Sequence, residues 1–301
     1  MFPGALGDLL LALPALRALR ARHPEARWTL VVHEGLRALA GLAALAAEVA
    51  SLDGAATAWL FGATSRPAWL ADWPAVYAWI GSRDPEVAQR LATVASAVEL
   101  HAVVRDDGPE HAAVVYARAV GVEIRHPGEL VAAARLSVPP SRRLESMRRA
   151  ANAPWLVLHR GAGAASKRWL REGFMAVAHA WQKRGGAVLD LLGPAEHDET
   201  LLPGAVAVRD WPLPDVAALL AAADAYVGCD SGVSHLAGAV GSRGVVVFGP
   251  TSPQRWRPLA PSLAALAPEV GAAAVRVEAV LAALARVPTL TTRRGDTIDR
   301  A

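Results

Sequence analysis

The sequence predicts an α/β protein of two doubly wound domains, each built on a parallel sheet with helices on both faces. Short apolar runs alternate with amphipathic segments of roughly 10–13 residues, which is the pattern of βαβ units. The chain has 301 residues, too many for one ordinary domain and suited to two. A proline- and arginine-rich segment, residues 138–143, interrupts the alternation. We therefore expect domains over residues 1–140 and 141–301, facing each other across a cleft.

In the N-terminal half, apolar residues at helical spacing predict helices, and short apolar runs predict strands. The predicted elements are a helix over 8–22, strands over 28–32 and 49–52 with a helix over 36–46 between them, a strand over 76–80, a helix over 85–94, a strand over 98–101 and a helix over 110–120. Only Met1, Phe2 and Pro3 stand where a first buried strand would normally lie. Two alternatives stay open: that strand is vestigial, or the numbered start lies inside a longer reading frame.

The C-terminal half alternates more regularly. A charged helix up to residue 151 is followed by strands that are apolar on both faces, as in a covered parallel sheet. The predicted strands lie over 155–159, 187–192, 206–208, 225–228 and 245–248, and the predicted helices over 171–183, 215–223, 233–240 and, as a closing element, 275–286.

Composition predicts a soluble cytoplasmic protein. Hydrophobic residues make up 53% of the chain, much of it alanine, and no charge-free apolar run reaches the ~18–20 residues of a membrane-spanning helix. The start of the sequence lacks the pattern of a secretion signal. The net charge of +3 suits an anionic substrate or an acidic membrane face. The sequence contains no RNA-binding motif, so we expect no nucleic-acid partner. The single cysteine, Cys229, excludes an intrachain disulfide and is expected to pack as a small apolar residue.

The most informative segment, residues 228–250, has a strand ending in an acid, a helix starting on Ser231 and Gly232, and a second strand closing on a proline-rich loop. A helix that begins where a strand ends offers backbone N–H groups and the positive end of its dipole to a phosphate. We therefore expect a nucleoside diphosphate to bind here, beside Asp230. His235, one turn into the helix, is either a buried histidine bonded to a loop or a ligand contact.

A second segment, residues 158–169, joins a strand to a helix through small residues. Its Gly163 and Ser166 leave backbone N–H groups accessible, and Lys167 adds an ammonium group. Lysine is rare here: Lys167 is one of only two lysines among 31 basic residues. The glycine spacing superficially matches a dinucleotide fingerprint with Asp190 as its acid, although Asp190 falls inside an apolar run. We expect this segment to bind phosphate groups.

Two further acidic residues have alternative interpretations. Asp8 follows the glycines Gly4 and Gly7 at the start of the first helix, where it either caps the helix or acts as a catalytic base. Glu196 follows the strand that ends at Leu192, where it is either an ordinary first-turn glutamate or an acceptor for ribose hydroxyls. No Asp-x-Asp pair and no His/Cys cluster with zinc spacing occurs, so the sequence predicts no metal site and no cofactor.

Three motifs occur in a fixed order over residues 3–258. They are Gly4-x-x-Gly7-Asp8-x5-Pro14, then Gly161-Ala-Gly163-x3-Lys167-x-Trp169, and then Asp230-Ser-Gly-x-x-His235-Leu-Ala followed by Phe248-Gly-Pro-Thr-Ser-Pro. Together they resemble glycosyltransferase family 9, which includes the ADP-heptose:lipopolysaccharide heptosyltransferases.

The resemblance implies a GT-B architecture, in which two Rossmann-like domains hold the active site between them. It also implies metal-independent, inverting transfer from a nucleoside-diphosphate sugar, with an ADP-sugar favoured. The N-terminal domain would then face the acceptor, and the C-terminal domain would bind the donor. On this resemblance Asp8 is the general base that takes the proton of the acceptor hydroxyl.

The resemblance also implies roles for the other site residues. Lys167 and the N–H groups of Ser231 and Gly232 would meet the charge of the departing diphosphate. Asp230 and His235 would order the donor site, and Glu196 would hold the ribose. The remaining residues implied to line the nucleotide-sugar site are Gly7, Gly163 and Ser166.

The leading hypothesis is a cytoplasmic glycosyltransferase that moves a sugar, with heptose as one candidate, onto a lipid-linked or polysaccharide acceptor. A lipid acceptor would bring the protein to the inner membrane face, where the arginines at positions 142, 143, 148 and 149 would make weak electrostatic contact. The alternative is that these arginines form a solvated helix face. Two alternatives stay open. One is a non-catalytic nucleotide-sugar-binding protein of the same fold, and the other is a nicotinamide-dependent enzyme.

Overall fold

The structure is a computed structural model that describes residues 1–62, 66, 70, 72–105, 108–151 and 153–286; for residues 55, 56 and 149–151 it describes the backbone alone. The chain forms two compact units, which divide between Leu136 and Ser137. No helix in the described ranges is long and apolar enough to cross a membrane.

The first unit combines helices with two pairs of parallel strands. Its elements are α1 (Leu6–Arg22), β1 (Thr29–Val32), α2 (Arg37–Leu42), β2 (Glu48–Ser51), α3 (Ala55–Ala58), β3 (Trp73–Ala78), α4 (Pro85–Ala92), β4 (Ala95–Leu100), α5 (Ala112–Ala119) and α6 (Pro127–Ala134). β1 pairs with β2, and β3 pairs with β4. The helix predicted over 36–46 ends at Leu42, because Ala44 takes a left-handed φ of 52°. α6 has no counterpart among the predicted elements.

Met1 and Phe2 lie between β1 and β3. The N–H of Phe2 donates to the Val31 carbonyl of β1 at 2.8 Å. The amino group of Met1 donates to the Tyr77 carbonyl of β3 at 2.7 Å, and its carbonyl accepts from the N–H of Trp79 at 3.0 Å. These two residues therefore make strand-like bonds to both neighbours, at the place where a first strand was expected.

The second unit has a single six-stranded parallel sheet with helices around it. Its elements are α7 (Arg142–Ala151), β5 (Trp155–His159), α8 (Arg171–Gln182), β6 (Ala187–Leu192), β7 (Val206–Arg209), α9 (Leu213–Ala222), β8 (Ala225–Cys229), α10 (Gly232–Val240), β9 (Gly244–Val247), α11 (Pro253–Trp256), β10 (Leu263–Leu266) and α12 (Val277–Ala285). The strand order is β10-β9-β8-β5-β6-β7, and every pairing is parallel. The predicted α/β class is thereby confirmed; β10 and α11 are elements that were not predicted.

The core of the second unit fixes the ends of its central strands. β5 and β8 are buried along their whole length, since both faces of the sheet are covered. α8 and α12 pack in the same apolar cluster, in which Trp169 and Phe174 meet edge to face with ring centroids 5.0 Å apart. The indole N–H of Trp169 donates to the Val275 carbonyl at 2.9 Å. This packing holds the end of the loop that follows β5 against the sheet.

Candidate functional site

The order of the strands in the second unit defines where a ligand is expected. β5 lies next to β6 on one side and next to β8 on the other, so the connections leave in opposite directions at the β5–β8 junction. In open parallel sheets, ligands bind outside the carboxyl ends of the strands at such a switch point. Here those carboxyl ends are His159 and Cys229.

The loops that follow β5 and β8 bring a cation and an acid together at this point. The Nζ of Lys167 donates to Oδ2 of Asp230 at 2.8 Å, and the Thr251 hydroxyl donates to the same oxygen at 2.5 Å. Asp230 is buried, whereas 29% of the Lys167 side chain is exposed. Asp230 therefore holds an ammonium group at the surface of the switch point, where an anion can reach it.

The N-terminus of α10 stands beside that ion pair. Ser231 is the N-cap residue, and its side chain accepts from the N–H of Ser234 at 3.4 Å. The Ser234 hydroxyl in turn donates to the Cys229 carbonyl at 2.6 Å, which ties the first turn to the end of β8. The first N–H groups of a helix have no partner within the helix, and its dipole is positive at that end. In α10 this end follows directly on Asp230, which binds Lys167. The predicted start on Ser231 and Gly232 is thus confirmed.

His235 and Cys229, two residues of this region, are both buried. His235 lies in the first turn of α10 and is 7% exposed. Cys229 is fully buried, and burial raises the pKa of its thiol to about 11. The thiol is therefore uncharged at neutral pH and packs as the small apolar residue that was expected.

The carboxylate of Glu196 lies at the end of β6, next to β5. It is 4% exposed and accepts from the N–H of Gly193 at 3.1 Å, and Arg168 lies 3.5 Å from its other oxygen. A Cβ added at Gly161 would lie 2.4 Å from Oε1 of Glu196, so this position needs glycine for the carboxylate to approach the backbone. Gly163 and Ser166 lie exposed in the same loop.

A buried ion network surrounds Glu196 and was not predicted. Arg160 donates to both oxygens of Asp190, at 3.2 and 3.1 Å, and also contacts Glu199, which accepts from Arg168 at 3.1 Å. Arg160 is 4% exposed and Asp190 is fully buried. Arg160 bonds both oxygens of Asp190, so this acid holds the loops together and is not presented to the adenosine ribose of a dinucleotide. The sequence feature that could have indicated this network is the pair of arginines, Arg160 and Arg168, at the two ends of the small-residue loop.

In the first unit, Gly7 and Asp8 lie in the first turn of α1, and both residues are half-buried. Asp8 is the third residue of the helix, and its Oδ2 accepts from the N–H of the N-cap residue Ala5 at 3.2 Å, as the third residue of a capping box does. A carboxylate accepts several hydrogen bonds, so the base role stays a prediction. A Cβ at Gly4 would lie 2.4 Å from the Phe2 ring and 2.6 Å from Cβ of Asp8, which explains the glycine.

Among the described residues, no group of three or more His, Cys, Asp or Glu side chains could hold a metal ion.

We expect Gly249→Ala to destabilise the second unit by about 1–3 kcal/mol. A Cβ at Gly249 would lie 2.6 Å from the Ser166 carbonyl oxygen and 3.0 Å from Cα of Lys167, and both are backbone atoms. Gly163→Ala is the matched control, because a Cβ there meets nothing within 4 Å and should change stability by less than about 0.5 kcal/mol. Urea denaturation measures both; equal midpoints for the two variants would refute the close contact between these loops.

The chain is similar to known proteins in its sequence and in its fold. The sequence profile of "Glycosyltransferase family 9 (heptosyltransferase)" matches residues 116–281, which is more than half of the chain. A search of curated proteins found no match.

Solved structures with the same fold include three bacterial proteins. The glycosyl transferase family 9 protein from Veillonella parvula is 17% identical with a TM-score of 0.72, and the match covers 95% of each chain. E. coli ADP-heptose lps heptosyltransferase II is 17% identical with a TM-score of 0.73, covering 95% of this chain and 97% of that one. E. coli heptosyltransferase WaaC with ADP is 18% identical with a TM-score of 0.66, covering 94% and 98%. These likenesses confirm the GT-B class of α/β fold.

Proposed function

The chain belongs to glycosyltransferase family 9, and we propose that it transfers a sugar, with heptose favoured, from an ADP-sugar to a lipid-linked or polysaccharide acceptor. That it is a glycosyltransferase follows from the family; the nucleotide, the sugar, the acceptor and the stereochemistry belong to the proposal. The observation that carries the proposal is the Lys167 ammonium held by Asp230 beside the start of α10.

The donor diphosphate is the proposed ligand of this arrangement. Its negative charge is met by Lys167 and by the N–H groups of Ser231 and Gly232, without a metal ion. Preorganised cations and backbone donors stabilise the charge that develops on a leaving group, and they need no rearrangement during the reaction. Asp230 fixes the ammonium in place, and Thr251 helps to fix Asp230. The similar protein WaaC was solved with ADP, which supports the choice of nucleotide.

Other predicted residues complete the proposed donor site. Glu196 lies at the end of β6 and accepts hydrogen bonds from the ribose hydroxyls. Gly163 and Ser166 are small residues that let the loop backbone approach the phosphates. His235 supports the first turn of α10 from its buried position. Gly7 has no side chain, which leaves room for a bound sugar at the start of α1.

Transfer is proposed to be a single inverting displacement. Asp8 accepts the proton of the acceptor hydroxyl, whose oxygen bonds to the anomeric carbon. The bond from that carbon to the diphosphate oxygen breaks on the opposite face, and the electron pair leaves with the nucleoside diphosphate. A positioned base contributes about 10²–10⁴-fold to such a rate.

The acceptor and the location of the protein are part of the same proposal. We place the enzyme in the cytoplasm, with a peripheral contact at the inner membrane face. Arg142 and Arg143 are exposed on α7, although the Arg143 guanidinium stacks 3.9 Å from the centre of the Trp211 ring. Arg148 is bound to Asp224 at 3.0 Å and does not contribute to a membrane contact.

We expect ADP to stabilise the protein against thermal unfolding. A ligand at 100 times its dissociation constant raises the unfolding free energy by about 2.7 kcal/mol. NADH, which shares the adenosine diphosphate group, is the control for the nicotinamide alternative. The same samples, given ADP-heptose and a glycolipid acceptor, should release ADP. Binding of ADP without release from any donor and acceptor would favour the non-catalytic alternative, and an NADH-dependent reaction would overturn the proposal.

A further inference from the structure

The loop that follows β6, residues 193–201, carries two acidic side chains, Glu196 and Glu199. Three arginines outside the loop donate to its backbone carbonyls. They are Arg160, Arg171 and Arg209, with donor–acceptor distances between 2.7 and 3.1 Å. These bonds fix the backbone of the loop, and none of them involves the carboxylate of Glu196. A separate set of contacts therefore holds that carboxylate.

The Glu196 carboxylate is held from two directions. Its Oε2 accepts from the N–H of Gly193 at 3.1 Å, and Nη2 of Arg168 lies 3.5 Å from its Oε1. Each oxygen of a carboxylate has two lone pairs, so each has acceptor capacity beyond these contacts. Two such oxygens on one carboxylate suit the two neighbouring hydroxyl groups of a ribose.

Arg168 lies between the two carboxylates of the loop. Its Nη1 donates to Oε1 of Glu199 at 3.1 Å, and its Nη2 faces Oε1 of Glu196. Its Nε is buried and has no hydrogen-bond partner in the part of the chain that the structure describes. A buried donor without a partner costs stability. The two carboxylates therefore set the position of this guanidinium, at the expense of one of its donors.

Glu199 connects Arg168 to the interior of the sheet. Its other oxygen accepts from Arg160, which also donates to both oxygens of Asp190 in β6. Asp190 is fully buried and accepts from the N–H of Leu202 at 3.1 Å. A continuous series of ion pairs thus runs from the middle of β6 through Arg160, Glu199 and Arg168 to Glu196.

Arg168 and the preceding Lys167 contact different strands. Arg168 has an extended backbone, with φ −81° and ψ 133°, and successive side chains of an extended chain alternate in direction. Lys167 bonds Asp230 at the end of β8, whereas Arg168 contacts Glu196 at the end of β6, on the other side of β5. Two consecutive residues therefore set the cation proposed for the diphosphate and the acid proposed for the ribose.

We propose that Arg168, held in place by Glu199, is a positioning residue that aims the Glu196 carboxylate at the ribose hydroxyls and so sets the selectivity of the donor site for a ribonucleotide. The inference rests on the proposed function, in which Glu196 accepts these hydrogen bonds. Without the guanidinium, the two carboxylates that now share its charge repel each other, and Oε1 of Glu196 loses the contact that orients it.

The test compares the affinities of ADP and 2′,3′-dideoxy-ADP by calorimetry. We expect the wild type to prefer ADP by at least about tenfold, because the analogue lacks both hydroxyls that a carboxylate would bind. Arg168→Gln should reduce this preference by at least about fivefold, and Glu196→Gln should reduce it as well. The double variant should lose no more than Glu196→Gln alone, since Arg168 acts through Glu196. A residue that served only the fold would change both affinities alike and leave their ratio unchanged.

Two further variants accompany this comparison. Arg168→Lys keeps a positive charge between the carboxylates and serves if Arg168→Gln does not fold; we expect an intermediate preference, because an ammonium lacks the fork of a guanidinium. Arg171→Gln is the matched control. Arg171 donates to the carbonyls of Thr200 and Leu201 in the same loop, and its loss should change the preference by less than about twofold.

Four outcomes overturn the inference. Wild-type preference in both Arg168 variants would do so while leaving the proposed function intact, as would an equal loss in Arg171→Gln, which would reflect a loosened loop. A double variant below Glu196→Gln would show that Arg168 contacts the nucleotide itself. A wild type that does not distinguish the two nucleotides would remove Glu196 from the ribose site. If the wild type does not bind ADP, the proposed function fails and the inference fails with it.

Discussion

Asp8→Asn is expected to lower turnover by about 10²–10⁴-fold while leaving ADP binding and thermal stability close to those of the wild type. The amide cannot take the proton of the acceptor hydroxyl. It keeps an oxygen that can accept from the N–H of Ala5, as Oδ2 of Asp8 does at 3.2 Å, so the start of α1 keeps its hydrogen bond. ADP release from ADP-heptose with saturating acceptor measures turnover, and calorimetry with ADP measures donor binding.

Asp84→Asn is the matched control for this prediction. Asp84 caps α4 in the same unit, accepting from the N–H groups of Glu86 and Val87 at 3.0 and 3.3 Å. The substitution removes one negative charge from a helix start, as Asp8→Asn does, and should leave turnover unchanged. If both variants keep wild-type turnover, Asp8 is a capping residue only and the base must be sought elsewhere.

Lys167→Met is expected to weaken ADP binding and to lower turnover by about 10²–10³-fold. The substitution removes the cation proposed to meet the diphosphate. It also leaves the buried Asp230 carboxylate without its ammonium partner at 2.8 Å, so that this negative charge repels the incoming phosphates. Calorimetry with ADP and the transfer assay measure the two effects separately.

Lys183→Met provides the same change of charge at the other lysine of the chain. Lys183 is exposed at the C-terminal end of α8. We expect its loss to change ADP affinity by less than about twofold, since exposed charges are screened by salt. Similar losses of affinity in both variants would mean that the effect reflects overall charge, and the assignment of Lys167 would fail.

The sequence predicted the strand and helix elements around Asp230 and Lys167 well because these elements depend on local signals. An apolar run followed by Asp230 and Ser231 predicts a strand, an acid at its end and a capped helix, and the structure has these elements. The loop with Lys167 follows the neighbouring strand, and the carboxyl ends of neighbouring parallel strands meet at one edge of the sheet. The Lys167–Asp230 contact, across 63 residues, follows from that topology.

The ion network around Arg160 could not be predicted in the same way. Its partners Asp190 and Glu199 lie 30 and 39 residues away in sequence, and no local pattern distinguishes a carboxylate that will be buried from one that will be exposed. Its distance from the glycines makes Asp190 a candidate acceptor for a ribose hydroxyl in the sequence. The structure instead shows it bound to Arg160 on both oxygens, inside β6.

The elements that prediction missed are those without a strong apolar period. α6 is a short helix that begins with Pro127, and β10 is an edge strand of four residues with two exposed alanines.

The most direct test of the central claim is a crystal structure of the protein with ADP. The account predicts a phosphate oxygen within about 3.2 Å of Nζ of Lys167, and the diphosphate seated on the N–H groups at the start of α10. A diphosphate bound anywhere away from Lys167 and Ser231 would contradict the account, whatever the activity of the protein.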